Sequence, residues 1–174
     1  MSSGDIDDRL GPPGKVDDLR KTSQGFDLYM SSIDSIPIKR AGVPYGAGIS
    51  TDGRTCYVDD RLVLILNGVD VSPALRTHEC VEWALREYFD IGWDYHSDPS
   101  GHRLANRAEY EEVGRLFPDQ DPDDAWEAYD DFVDPQIRNI EHEDVTNVPK
   151  DLALYPYEHT AIFRRIKEAQ RGTN

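Results

Sequence analysis

The sequence predicts an α+β domain in which a small antiparallel sheet precedes a helical half. Residues 55–59 alternate between polar and apolar side chains, as a half-buried strand does. From Ser72 onward, apolar residues recur with helical spacing in several segments that proline or glycine separates. A chain of 174 residues is long enough to bury one core without disulfide bonds, so one domain is expected.

The N-terminal stretch is expected to lie outside this domain. Residues 1–24 combine glycines and prolines with scattered charges and carry few apolar side chains. Such a composition buries too little apolar surface to offset the entropy of ordering the chain. We therefore predict a flexible arm over residues 1–24, with at most one short helical turn, and a single folded domain over residues 25–170.

Turn and strand signals between residues 26 and 66 predict the small sheet. Ile36 precedes a proline and is expected to be extended, because the residue before proline avoids the helical region. A turn signal at residues 51–54 leads into the strand at 55–59, and residues 62–66 continue in extended or mixed form. The stretch from 43 to 49 is rich in glycine and proline and is predicted to be a loop.

Four helices are predicted in the second half of the chain. The first begins at Ser72, with this serine as N-cap and Pro73 in the first helical position, and it ends near Phe89. The others are predicted at about residues 100–116, 122–133 and 158–169. The segment between 139 and 157 is expected to be irregular.

The charge of the chain argues against two classes of partner. Its 34 acidic against 19 basic residues give a formal net charge of −15, which repels the phosphates of nucleic acids and anionic membranes. No stretch has the length and apolarity of a membrane span, and the polar N-terminus lacks the apolar core of a signal peptide. We therefore expect a cytoplasmic protein that binds neither nucleic acid nor membrane, with Cys56 and Cys80 as buried free thiols. Its oligomeric state is left open.

One predicted helix carries two metal-ligand side chains on its apolar face. His78 and Glu82 are four residues apart, about one turn, so they project from the same side. Val81, Leu85 and Phe89 lie close to that side, which marks it as the buried one. A carboxylate in apolar surroundings is costly unless it is paired or bound to a metal.

The next helix offers a matching pair. His102 and Glu109 are seven residues apart, about two turns, and share a face with Ala105, Val113 and Leu116. Two neighbouring helices are therefore expected to direct one histidine and one glutamate each toward the core.

Two histidines and one carboxylate are a donor set that zinc accepts in catalytic sites, which combine three protein ligands with a water. The predicted ligands are His78, Glu82 and His102. Glu79, rotated about 100° from His78 around the helix, is the predicted general base for a metal-bound water. Glu109 is either a fourth ligand, which would close the site, or the acceptor that orients His102 through its second ring nitrogen. Nickel, manganese or iron would tolerate the same donors.

The helix His78-Glu79-x-x-Glu82, the strand before it and the histidine on the next helix resemble a variant of the zincin-like metallopeptidases. The usual pattern in that family is His-Glu-x-x-His with a glutamate further on. Here Glu82 stands in the place of the second histidine, and His102 in the place of the downstream glutamate. The arrangement also resembles uncharacterised bacterial and phage-associated proteins. The resemblance spans about residues 55–115 and implies a zincin-like core, with His78, Glu82 and His102 as zinc ligands and Glu79 as the base.

These observations favour a zinc-dependent, peptidase-like hydrolase acting on a peptide or protein substrate. Two other functions stay open. One is a non-catalytic phage or bacterial structural protein, in which a buried His–Glu network only holds the two helices together. The other is an acidic interaction module whose C-terminal segment docks onto a partner. Outside the two helices, His96 and His142 are expected in solvated loops, and His159 is expected to cap the last helix.

Overall fold

Strands occupy the first half of the chain and most helices the second, so the predicted α+β class is confirmed. The structure, a computed structural model, describes residues 13–92, 99–140, 146–155 and 163–172. Within these ranges the helices are α1 (Pro13–Ser31), α2 (Ser72–Phe89), α3 (Gly101–Leu116), α4 (Pro122–Ile140) and α5 (Phe163–Gly172). The strands are β1 (Ile38–Ala41), β2 (Ala47–Ile49), β3 (Cys56–Asp59), β4 (Ile65–Leu66) and β5 (Val69–Asp70).

The larger sheet is mixed rather than antiparallel. Its strand order is β1-β3-β2, with β1 parallel and β2 antiparallel to β3. The prediction of an antiparallel sheet is therefore wrong for β1, because β2 lies between β1 and β3 in the chain but not in the sheet. The strands β4 and β5 form a hairpin around Asn67 and Gly68, which both have the positive φ angles of a two-residue hairpin turn.

The strand β2 lies in a segment that was predicted to be a loop. All three of its residues are buried, and they pair with β3. Its sequence, Ala-Gly-Ile, is short and has no alternation, so local pattern could not identify it. Pairing with β3 and burial beneath α2 stabilise this strand, and both are tertiary effects.

The helix α2 is central to the molecule, since it packs against the larger sheet, α1 and α3, and α4 packs against α3. Cys56 and Val58 of β3 point toward α2, and Tyr57 between them points to the opposite face. That opposite face is covered by residues 148–154 and by Ile166 of α5. The Leu152 backbone bridges to Ser50, which extends the sheet beyond β2.

The ends of α2 agree with prediction, although its cap differs. Ser72 is the first helical residue rather than the N-cap, and its backbone N–H donates to Asp70 Oδ1 at 2.9 Å. The Asp70 carboxylate therefore satisfies a free N–H group at the positive end of the helix. At the other end, Asp90 adopts a left-handed conformation with φ 53° and ends the helix two residues before Gly92.

Two other helical predictions are wrong in extent. Residues 13–24, predicted to contain at most one helical turn, belong to α1. The helix α1 packs against α2, and an intrinsically weak helix gains its stability from such packing. The helix α4 continues past Val133 to Ile140 in spite of Pro135, because Val133 and Ile140 are both buried in the core.

The cysteines and the apolar character of the helices were also considered from the sequence. Cys56 and Cys80 are both buried free thiols, as predicted. Among the helices of the described ranges, none combines the length and the apolar character that crossing a membrane requires.

The buried side chain of Asp59 joins the sheet to the loops on either side of it. Its Oδ2 accepts hydrogen bonds from the Val43 backbone N–H and the Arg61 guanidinium, both at 2.9 Å. Its Oδ1 accepts from the backbone N–H and Nε of Arg61 at 2.9 and 2.7 Å. Burial by itself would raise the pKa of Asp59, but these hydrogen bonds outweigh it and hold the pKa below its ordinary value.

We expect Asp59→Asn to lower the free energy of unfolding by about 2 kcal/mol at pH 7, because its amide group must face hydrogen-bond donors. Since the folded-state pKa of Asp59 is depressed, its stabilisation is present above the unfolded-state pKa, about 3.9, and declines as pH falls through the folded-state value. Urea unfolding of both proteins across pH 3 to 7 measures this difference. The exposed neighbour variant Asp60→Asn is the control, and a difference that does not narrow in acid would contradict the assignment.

Candidate metal centre

The interface between α2 and α3 brings together the two histidines and two of the glutamates that the sequence singled out. The Glu82 carboxylate lies between the imidazoles, with its Oε1 3.1 Å from His78 Nε2 and 2.5 Å from His102 Nδ1. The two rings meet edge to face with centroids 4.8 Å apart. His78, Glu82 and Glu109 are buried, and the His102 side chain is 22% exposed. The two helices therefore do direct their donors to one point.

Glu109 contacts His78 rather than His102. Its Oε2 lies 2.8 Å from His78 Nδ1, and its Oε1 accepts a 2.5 Å hydrogen bond from the Tyr129 hydroxyl on α4. Both carboxylate oxygens are thus occupied away from His102. The expectation that Glu109 orients His102 is wrong, because the crossing of α2 and α3 places the second half of α3 beside the first turns of α2. In this position Glu109 fixes the His78 ring through its far nitrogen, with Tyr129 holding Glu109 in turn.

The cluster brings acidic and basic side chains together in a mostly buried environment. Burial would lower the pKa of His78, but its contacts with Glu109 and Glu82 outweigh burial and raise the pKa well above its ordinary value. Burial would raise the pKa of Glu82, and the two imidazoles overcome it and lower the pKa to about 2. The protonated His78 ring therefore compensates the charge of the buried carboxylates in this structure.

The donor set also fits a divalent cation. One ligand atom each from His78, Glu82 and His102 can be chosen so that all lie within 4.8 Å of one another. Tetrahedral zinc with bonds of about 2.0 to 2.2 Å holds its donor atoms about 3.4 Å apart. The contact between His78 and Glu82 is already close to that spacing, whereas the one between His102 and Glu82 would have to lengthen by roughly an ångström. The largest spacing in the set, up to 4.8 Å, would have to shorten as well, so ligation requires movement of the partly exposed His102 side chain.

Glu79 is half-buried on α2 beside the cluster. Burial raises the pKa of Glu79 well above its ordinary value; the charge of Glu82 adds to this effect and that of His78 opposes it. Its carboxylate is therefore close enough to the cluster to experience both charges. Glu79 neighbours the three candidate ligands without being one of them.

Three tyrosines near the cluster were not identified from the sequence. Tyr129 is buried on the apolar face of α4, and its hydroxyl donates to Glu109. The hydroxyl of Tyr45 donates to the backbone oxygen of Ala153 at 3.4 Å, and Tyr155 is buried. The charges of Glu79 and Glu82 add to burial in raising the pKa values of Tyr45 and Tyr155, which places both rings near these carboxylates. No sequence signal marked these tyrosines, because each is brought to the site from a distant segment.

Other residues considered in the sequence lie outside the described ranges. These are His96, the acidic segment 141–144 with His142, and His159.

A comparison with protein-family models, with curated proteins and with solved structures finds no match to this chain.

The hydroxyl of Tyr129 offers a test of the chain of contacts that holds His78. Tyr129→Phe leaves a buried oxygen of Glu109 without its donor, so we expect the free energy of unfolding to fall by about 2 kcal/mol. Tyr110→Phe is the matched control, because its hydroxyl binds Asp123 on the exposed surface, and its stability should stay close to that of the unmodified protein. Chemical denaturation measures both, and equal stability of the two variants would show that Tyr129 does not support the cluster.

Proposed function

We propose that this protein is a metal-dependent hydrolase that cleaves peptide or amide bonds, with zinc held by His78, Glu82 and His102. The observation that carries the proposal is the approach of three donor atoms from two helices, with the acidic side chain of Glu79 beside them and not among the ligands. Catalytic zinc sites have three protein ligands and keep one position for water or substrate. Glu109 would act as the acceptor behind His78 and not as a fourth ligand, which leaves that position free.

In this proposal each side chain around the metal has a different role. Bound zinc would polarise the substrate carbonyl and make a water acidic enough to be a nucleophile at neutral pH. Glu79 would accept the proton of that water and return it to the leaving nitrogen. Glu109 and Tyr129 would hold the His78 ring in the orientation that ligation needs. Zinc would also supply the positive charge that the protonated His78 ring supplies in its absence.

The second candidate is a protein in which the cluster only stabilises the pair of helices. Glu82 already accepts from both imidazoles and Glu109 from His78 and Tyr129, so the network is satisfied without a cation. This candidate predicts that the protein folds fully after treatment with a chelator and takes up no zinc.

Glu79→Gln separates the two candidates. The variant should retain one zinc per chain, measured by elemental mass spectrometry, because Glu79 is not a ligand. Its turnover of a mixture of short peptides, followed by mass spectrometry, should fall by about 10²- to 10⁴-fold, the usual contribution of a positioned general base. Glu87→Gln, an exposed substitution on the same helix, is the control and should cleave as the unmodified protein does.

Two results would contradict the hydrolase. One is a chain that binds no zinc, nickel, manganese or iron after dialysis against each metal. The other is a Glu79→Gln variant with unchanged turnover. If His78→Ala also unfolds the domain in the absence of any metal, the structural candidate is the better account, because the buried carboxylates of Glu82 and Glu109 then both lose their contact with His78.

A further inference from the structure

We propose that Tyr155 and Arg86 form a substrate-anchoring subsite beside the metal centre, and that its ligand is a peptide that bears a carboxylate. The Tyr155 hydroxyl would donate to a carbonyl oxygen of the substrate, and the Arg86 guanidinium would pair with the carboxylate. This inference rests on the proposed function for its place in catalysis, although the binding it predicts is measurable without turnover.

The first observation is a buried hydroxyl that lacks a hydrogen bond. Tyr155 is 8% exposed, and its hydroxyl has no hydrogen-bond partner among the residues that the structure describes. A buried polar group without a partner is costly, so its presence calls for an explanation. Because burial and the nearby charges of Glu82 and Glu79 raise the pKa of Tyr155 well above its ordinary value, the group remains an O–H donor at neutral pH. An acceptor brought by a ligand would satisfy it.

The second observation is an arginine that has no acidic partner among the described residues. The Arg86 guanidinium lies over the Tyr155 ring, with Cζ 4.3 Å from the ring centroid. Within the described part of the chain this exposed guanidinium makes no ion pair or hydrogen bond, although the chain has 34 acidic residues. Stacking on an aromatic face orients a guanidinium and leaves its N–H groups free to bind a carboxylate in bidentate geometry.

The position of the pair connects it to the metal centre. Arg86 is one helical turn beyond Glu82 on α2, so the two side chains are neighbours on the helix surface. Long side chains on a helix lean toward its N-terminus, which directs Arg86 back over the turn that carries Glu82. The Tyr155 ring lies against this guanidinium, with Arg86 Cζ 4.3 Å from the ring centroid. The pair therefore borders the turn of α2 that carries Glu82, and a ligand would reach the buried Tyr155 hydroxyl by displacing the exposed Arg86 side chain.

The ligand class follows from these two groups. The hydroxyl needs an acceptor, which any peptide carbonyl supplies, and the guanidinium needs an anion of planar geometry, which a carboxylate supplies. A free C-terminus and an Asp or Glu side chain present the same chemistry, so the experiment has an arm for each. With a net charge of −15, the chain repels anions at long range, and a carboxylate would need such a local cation to bind here.

Binding of three small probes, followed by calorimetry and by NMR of the Arg86 Nε–H, tests the proposal. The probes are acetyl-Gly-Gly with a free C-terminus, acetyl-Gly-Gly-amide, and acetyl-Asp-Gly-amide, which carries its carboxylate on a side chain. Each is titrated into the full chain after chelator treatment and again after loading with zinc. We expect at least one carboxylate probe to bind about tenfold more tightly than the neutral amide in both states, since a charge-assisted pair strengthens binding by about this factor.

Substitutions of Arg86 and Tyr155 separate carboxylate binding from hydrogen-bond donation. Arg86→Gln should abolish the preference for a carboxylate, whereas Arg107→Gln, which removes an 81% exposed arginine from α3, should preserve it. Tyr155→Phe should weaken all three probes several-fold. It should also keep or raise the melting temperature, because it removes a buried group that has no partner, whereas loss of a purely structural hydroxyl would lower it.

Two outcomes would overturn the proposal: equal affinity for the amide and both carboxylates, or a preference that survives in Arg86→Gln. The second outcome, if confined to zinc-loaded protein, would mean that the metal itself binds the carboxylate. Failure of the proposed function is a different result. A chain that takes up no metal but still binds carboxylates through Arg86 supports the subsite and refutes the hydrolase.

Discussion

The arrangement of α2, α3 and α4 depends on compensating the charge of carboxylates that are buried between helices. Glu82 and Glu109 are both buried, and Glu79 is half-buried beside them. Removing carboxylates from water costs several kcal/mol each unless positive charge and hydrogen bonds replace the solvent. His78 supplies that charge, and His102 and Tyr129 supply further hydrogen bonds. Such a network stabilises the fold less than apolar residues of similar size would, because burying charged groups is costly. It does, however, fix the positions of the donor atoms relative to one another.

The rest of the fold serves to hold α2 against its neighbours. Its N-terminus is capped by Asp70, and the indole of Trp83 donates to the Thr51 oxygen at 3.2 Å. Gly53, with φ 71°, lies so close to the Trp83 ring that a Cβ atom there would come within 2.7 Å of it. The sheet supports one side of α2 and α1 another, so the face that carries His78 and Glu82 is left for α3. A site on such a rigid helix keeps its geometry better than one built on loops.

The helical periodicity of the sequence predicted correctly which side chains share one face of α2 and of α3. The face of α2, the face of α3 and the pairing of one histidine with one glutamate on each all follow from side-chain direction on a regular helix. The partner of Glu109 does not follow from periodicity, because it depends on the position of α3 along the axis of α2. Tyr129 and Tyr155 were missed for the same reason, since an aromatic residue on an apolar face has the same pattern whether or not its hydroxyl has a role. The errors in α1, β2 and the end of α4 share another cause, which is stabilisation by packing that the local sequence does not encode.

The sequence by itself determined that four of the chain's ionisable side chains would project from the apolar faces of two successive helices. It also determined the α+β class, because helical and strand periodicities are local properties of the chain. Only the tertiary structure decided that Glu82 would lie between the two imidazoles, that Glu109 would contact His78, and that Tyr155 would be buried under the guanidinium of Arg86. Those contacts join residues up to 69 positions apart in the numbering, from 86 to 155. The angle and register at which elements pack decide such distances, and both depend on the whole core rather than on any one segment.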